Sequence, residues 1–226
     1  LRCLVGSEMC IRDRDKVEAS VGADFVSNYI WRGTDCGGVS IQPSMEVSYK
    51  GLSLTAWGSV GIDKEDAREI DLTLGYNTGG FSVSVTDYWF SYHKEDGGYT
   101  GDYFKYGAHS TVHIFEATLG YDFGPLALSW NTYFAGDDYT KENGDRAYST
   151  YVGISAPFKL GGLDWSAEVG LTPWEGAYAN KFNVTNLTLK AEKEIKFTNS
   201  FSLPTFAQVT FNPHTQGAYF VFGVSF

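Results

Sequence analysis

From Val17 onward the chain alternates apolar and polar residues, the period of a strand whose two faces meet different surroundings. In GLDWSAEVGLT, Leu163, Trp165, Ala167, Val169 and Leu171 take one side, and Asp164, Ser166, Glu168 and Gly170 take the other. VSIQPSMEVSY repeats the pattern, with Val39, Ile41, Met45, Val47 and Tyr49 set against Ser40, Gln42, Ser44, Glu46 and Ser48. Comparable segments fall near 17–31, 39–50, 52–62, 69–77, 80–92, 109–121, 126–136, 146–158, 162–172, 182–195, 199–211 and 217–226. No helical period of similar length competes with them.

The connections alternate in kind. Lys50-Gly51, Asn77–Gly80, Asp122–Pro125, Lys159–Gly162 and the region of Thr198-Asn199 are tight, whereas Gly33–Gly38, Asp63–Arg68, Lys94–Ala108, Gly136–Asp145 and Pro173–Asn180 are longer and charged or glycine-rich. A shorter loop lies near Pro213–Gln216. Strands of about ten residues with short turns at one end and longer loops at the other predict a transmembrane antiparallel up-and-down β-barrel of the outer-membrane kind. About twelve strands, an even number, returns both termini to one end.

Aromatic residues sharpen this expectation. On the apolar face, Tyr49, Tyr76, Phe81, Tyr121, Phe158, Trp165 and Phe201 fall at or beside tight turns, and Tyr29, Phe134, Tyr148 and Phe211 fall at the opposite strand ends. Rings at both ends of an apolar band are what two membrane interfaces select. The final segment, GAYFVFGVSF, sets Ala218, Phe220, Phe222, Val224 and Phe226 on one face. It resembles the C-terminal recognition signal of bacterial outer-membrane proteins, which implies the outer-membrane assembly machinery as a partner.

Composition narrows the function classes. With 17 Lys and Arg against 27 Asp and Glu the chain is acidic, which argues against a nucleic-acid surface. The stretch LVGSEMCIRDR, Leu4–Arg14, stands apart in rhythm and resembles the conceptual translation of a transposon adapter used in sequencing libraries. About the first fourteen residues are therefore excluded from fold reasoning, and 15–226 is taken as one barrel domain. Any export signal is expected to have been lost upstream of that join. Residues up to Arg14 should pack against nothing, with regular pairing from near Val17. Of the three cysteines, Cys3 and Cys10 fall in the excluded stretch. Cys36 alone supports neither a disulfide framework nor a zinc site, and no cofactor or metal is indicated.

Two segments resemble a known family. ASVGADFVSNYIWRG, Ala19–Gly33, is similar to the first-strand motif of the TorF-type porin family, and EIDLTLGY, Glu69–Tyr76, is similar to that family's Glu-Ile-Asp-Leu strand ending in Gly-Tyr. The loop after Gly33, with Cys36, departs from the family's Ser-Gln dipeptide. The resemblance is close over the first third and implies an outer-membrane channel.

Phase places Glu18, Asp24, Glu46, Asp71, Glu116, Asp164, Glu168 and Glu192 on the face opposite the apolar band, with Arg32 and Lys190 as the few cations. An acidic lumen with low-dielectric walls would favour cations, so a porin or channel for small solutes or ions with weak cation preference is expected. In the alternative these acids pair with Lys, Arg, Ser and Tyr to fill a closed interior, because twelve strands lie between filled and open barrels. Such a barrel would be structural, or adhesin-like through loops such as Lys94–Ala108.

An outer-membrane lipid-modifying enzyme or protease is the remaining class, and the sequence gives it little. None of His93, His109, His113 and His214 sits in a Ser-His or Asp-His signature, and G-x-S-x-G is absent. DDYTKENGD, Asp137–Asp145, fails EF-hand spacing because Tyr139 and Lys141 occupy positions that need oxygen ligands. The sequons at Asn183 and Asn186 lie inside a strand and carry no glycosylation meaning.

Overall fold

A computed structural model describes residues 16–226 except 64–65, 95–97, 99, 109 and 199–200. The predicted fate of residues up to Arg14, Cys3 and Cys10 included, lies outside the described residues. Pairing begins at β1, Glu18–Val26. Two short strands follow, β2 (Tyr29–Trp31) and β3 (Thr34–Gly37). The long strands are β4 (Ser40–Tyr49), β5 (Leu52–Gly61), β6 (Arg68–Thr78), β7 (Phe81–Ser91), β8 (Ile114–Asp122), β9 (Ala127–Gly136), β10 (Thr150–Leu160), β11 (Leu163–Thr172), β12 (Asn183–Lys196), β13 (Ser202–Asn212) and β14 (Gly217–Ser225).

Twelve of these strands, all but β2 and β3, form one closed antiparallel barrel, each hydrogen-bonded to its neighbours in the chain, with β14 returning to β1. The turns explain the register. Lys50-Gly51, Gly79-Gly80 and Gly161-Gly162 are two-residue connections with positive φ at both positions. That backbone twist matches the twist of paired strands, and glycine reaches it without a Cβ clash. Once such turns set the pairing, a period of two sends one side chain inward and the next outward along the whole strand.

The outer surface is apolar. Leu52, Leu54, Leu72, Leu74, Val83, Val85, Leu119, Leu128, Leu187, Leu189, Phe220 and Phe222 are all exposed on it. At the turn end Tyr49, Tyr76, Phe81, Tyr121, Phe158 and Phe201 are exposed and Trp165 is half-buried. Phe158 and Trp165 face each other in register with stacked rings 6.1 Å apart. At the loop end Phe134, Tyr148 and Phe211 also point outward.

Closure between β1 and β14 is short. Asp24, Phe25 and Val26 pair with Ser225, Val224 and Gly223, extended at one end by Phe226 N–H to the Ala23 carbonyl and at the other by Ser27 N–H to the Phe222 carbonyl, each at 2.9 Å. Glu18 to Gly22 run on along β4 alone.

One expected strand is corrected. The segment 17–31 is not continuous wall: β1 ends at Val26, and after Ser27-Asn28 the chain leaves the barrel ladder to form the β2–β3 hairpin. Tyr29, expected as an outward aromatic, lies inside instead. Its ring packs on inward-facing Trp57 at 5.5 Å, close to buried Glu69.

Candidate functional site in the barrel lumen

The lumen changes character along its length. In the half nearest the tight turns, inward residues such as Ser48, Ser53, Thr55, Ser82, Ser84, Lys190 and Glu192 remain partly exposed. In the half nearest the loops, Ser40, Gln42, Glu69, Asp71, Tyr88, Glu116, Asn131, Tyr133, Tyr151, Thr210 and Asn212 are buried. Water therefore reaches the interior from the turn end and is shut out at the loop end.

The β2–β3 hairpin makes that closure. Its tip is the two-residue turn Arg32-Gly33, with φ of 51° and 80° between the paired residues Trp31 and Thr34. Gly33 presses on the wall so closely that a Cβ there would stand 1.9 Å from the Thr185 carbonyl oxygen. Its own carbonyl accepts from Asn212 Nδ2 at 3.0 Å. With no side chain at the apex, the backbone approaches the wall and Arg32 is aimed into the lumen.

Arg32 spans to β8, nearly opposite β1 in the ring. Nη1 and Nη2 donate to Glu116 Oε2 and Oε1 at 2.6 and 2.9 Å, a bidentate pair, and Nη1 also donates to Tyr178 Oη at 2.6 Å. Their side chains are 11% and 1% exposed, so little solvent screens the attraction. The guanidinium carbon sits 4.2 Å from the Trp31 ring centre and 4.8 Å from that of Tyr151. Planar charge delocalisation lets arginine stack on rings and grip a carboxylate together.

Around this ion pair lies a ring of aromatics. Tyr88, Tyr133, Tyr151 and Tyr178 form one buried cluster, with Trp31, Phe90 and Ile114 against it. Tyr88 donates to Glu116 at 3.0 Å, and Tyr178, from the loop between β11 and β12, donates to Tyr133 at 3.1 Å. Tyr151 donates to Glu168 Oε1 at 2.5 Å, and Asn186 donates to the same oxygen at 3.0 Å. A side chain at Gly170 would put its Cβ 2.0 Å from Tyr151 Oη, so glycine there makes room for the phenol. On the loop side, an open depression of about 400 Å³ is floored by Ile114 and Tyr133 and edged by Asp137, Asp138, Tyr139 and Ala177.

The ten lumen candidates all face inward but do not form one constellation. Arg32, Glu116, Asp71 and Glu168 belong to the closed half. Asp71 and Glu69 are buried on the same face of β6, and Asp71 Oδ1 has no hydrogen-bond partner. Lower down, Lys190 bridges Glu192 at 2.6 Å and covers the Phe206 ring at 4.3 Å, while Lys159 bridges Asp164 at 3.0 Å near the turns. Glu46 accepts from Thr55 at 3.1 Å. Asp24 lies opposite Gln42 and Ser225 at the seam, and Glu18 lies opposite Ser48 at the turn end.

The sequence pass missed Glu69 and the aromatic cluster. Tyr88, Tyr133 and Tyr151 all sit at the inward phase near loop ends, a signal readable from alternation alone. It also missed a pairing of His113 Nδ1 with Asp87 Oδ1 at 2.7 Å. Among the described residues no nucleophile completes that pair, and His113 Nε2 meets the main-chain oxygen of Tyr103 at 2.7 Å. No protein-family model and no curated protein sequence matches the chain.

Proposed function

We propose that the protein is a bacterial outer-membrane barrel of the channel class, passing small solutes or ions, with its lumen held shut at the loop end by the β2–β3 hairpin. The apolar outer wall with aromatic residues at both ends supports a bilayer as its surroundings, since a soluble monomer rarely exposes so continuous an apolar surface. The C-terminal pattern of Phe220, Phe222, Val224 and Phe226 supports delivery by the outer-membrane assembly machinery. The likeness of Ala19–Gly33 and Glu69–Tyr76 to the TorF-type porin family points the same way, and both segments meet at the hairpin, where Tyr29 contacts Glu69.

One observation carries the gated reading. β2 and β3 pair only with each other and with no barrel strand. The hairpin is therefore held by side-chain contacts around Arg32 and Tyr29 and by the Gly33 carbonyl, and it can leave the lumen while the barrel ladder stays intact. The second reading, a non-conducting barrel that acts through its loops, draws on the depth of burial at the same place.

Planar-bilayer recording separates them. The wild-type barrel should conduct weakly or in rare openings, and a variant with 29–37 replaced by a short Gly-Ser linker should conduct steadily. Reversal potentials of that variant under a KCl gradient should favour cations, given the inward acids. A silent linker variant that still shows heat-modifiable gel migration sinks the channel reading and favours the second. Anion selectivity sinks the cation preference alone.

A further inference from the structure

The hairpin and the wall it leaves share one register. Val26 pairs with Ser40 in the barrel ladder and Tyr29 pairs with Gly37 in the hairpin, so β2 and β3 continue β1 and β4 step for step. Both strands bend inward at the same level, at Ser27-Asn28 on one side and Gly38-Val39 on the other. The bend leaves part of β14 without a neighbour. Its edge toward β1 is met from Phe222 to Phe226, but among the described residues Gly217 to Val221 have ladder partners on β13 alone.

Main-chain alternation shows which groups are left over. Phe226 and Phe222 turn their N–H and C=O toward β1, so Phe220 and Ala218 do the same and find no strand there. One bond records the break. The Phe222 N–H donates to Ser27 Oγ at 2.9 Å, where an unbent strand would present the Ser27 carbonyl. Without the bend, the register of β1 on β14 would set Tyr29 opposite Phe220 and Trp31 opposite Ala218. Both would be hydrogen-bonded pairs and would meet all four free main-chain groups. Phase agrees, because Phe25 points outward and Tyr29 and Trp31 would follow it. They would stand beside Phe220 at the level of Phe211, the outward ring paired with Ala218, where a membrane interface favours aromatics.

We propose that this edge is the hairpin's second seat: on leaving the lumen, β2–β3 swings about Ser27-Asn28 and Gly38-Val39 and zips Tyr29 and Trp31 onto Phe220 and Ala218 of β14, completing the wall as it opens the lumen. This rests on the reading that the hairpin leaves the lumen, and it adds where the hairpin goes. The two seats satisfy different groups. In the lumen Arg32 meets Glu116 and Trp31 packs on Tyr88 and Tyr178 at 5.6 and 6.3 Å, at the expense of the β14 edge. In the wall the edge is met and the cluster is given up. Main-chain groups facing hydrocarbon are costly to leave unmet, so a released hairpin has a defined destination. The hairpin rests in the lumen, which makes that seat the deeper one and the wall a state it visits.

Disulfide trapping in lipid nanodiscs tests this, with Cys3, Cys10 and Cys36 replaced by serine and folding checked by heat-modifiable migration. In the lumen Trp31 lies against β7, across the ring from β14. Under copper-phenanthroline oxidation, W31C with A218C should close an intramolecular disulfide roughly tenfold or more faster than W31C with F222C, which is out of register and carries the same loss of Trp31. S27A removes the stand-in acceptor of the bent state, so it should raise the in-register rate about threefold or more. Equal rates for the two pairs overturn the second seat. So does a disulfide between two barrels in A218C alone at the in-register rate, since the edge then takes a second copy. The channel reading fails separately. The trapped W31C–A218C barrel should conduct steadily until reduced; a trapped barrel that stays silent supports the second seat and sinks the channel. Steady conduction by the 29–37 linker variant alongside equal trapping rates keeps the channel and overturns the second seat.

Discussion

Replacing Arg32 by methionine keeps a long apolar stem under Trp31 and Tyr151 but leaves Glu116 without its cation. Glu116 is 1% exposed and loses two charge-assisted donors, keeping the neutral hydroxyls of Tyr88 at 3.0 Å and Thr118 at 3.4 Å. Removing one partner of a buried ion pair costs about 3–5 kcal/mol because the other charge stays desolvated. At 1.4 kcal/mol per tenfold, docking of the hairpin should weaken by roughly a hundredfold to a few thousandfold. The hairpin pairs with no barrel strand, so it should undock before the barrel unfolds. Hydrogen exchange over 29–37 in nanodiscs reads this directly. R32M should exchange faster there by about two orders of magnitude or more, with the wall strands unchanged. R32M with E116L, which removes the stranded charge, should recover most of the protection. Exchange in R32M within a few-fold of wild type, or a double variant no better than the single, would refute the latch.

Three further outcomes follow from the same geometry. Gly33→Ala places a methyl 1.9 Å from the Thr185 carbonyl at a positive φ, so it should undock the hairpin as R32M does and raise single-channel open probability. Val85→Arg, on the outward face of β7, should lower unfolding stability in lipid vesicles by about 2–4 kcal/mol, whereas Ser84→Arg, one residue away and facing the lumen, should cost under about 1 kcal/mol. Equal costs would contradict a wall with lipid on one side only. Deleting Phe226 removes two main-chain bonds, Phe226 N–H to Ala23 and Ala23 N–H to Phe226, from a seam with three register pairs. At about 0.5–1.5 kcal/mol each, the fast-migrating folded band on unheated gels should diminish, and an unchanged band would deny the seam its role.

Alternation made the barrel legible because each wall strand has one environment per face, and Leu163 to Leu171 could hardly be arranged otherwise. The tight turns were legible for a related reason: Lys50-Gly51 and Gly161-Gly162 need positive φ, and glycine signals it. The first loop was not legible, because Tyr29 and Trp31 keep an alternating phase after Val26 although the ladder has ended. What ended it was Ser27-Asn28, too small a break to see. Arg32 lies at the hairpin tip, and the sequence carried nothing linking it to Glu116, 84 positions away. That contact depends on closure of the ring, which places β8 nearly opposite β1. His113 and Asp87 stayed separate in the sequence for the opposite reason. Asp87 is on β7 and His113 just precedes β8, at an outward phase where a polar pair conflicts with an apolar wall, and contacts from Tyr103 and Tyr106 cover it.

The same distinction between cationic and neutral partners governs what the lumen can do once open. Glu116, Glu192 and Asp164 each meet a cation, Arg32, Lys190 and Lys159, so their fields largely cancel. Glu168 and Glu46 are met by neutral donors instead, Tyr151 with Asn186 and Thr55. A neutral donor satisfies a hydrogen bond without removing charge, so the field of those acids persists between low-dielectric walls. Undocking the hairpin would withdraw Arg32 as well, which strips Glu116 of its counter-charge. On the proposed channel reading, opening the lumen would then also make it more negative. On that reading, an interior with three cation-paired carboxylates in the closed barrel would become more cation-favouring on opening, without any change in the wall.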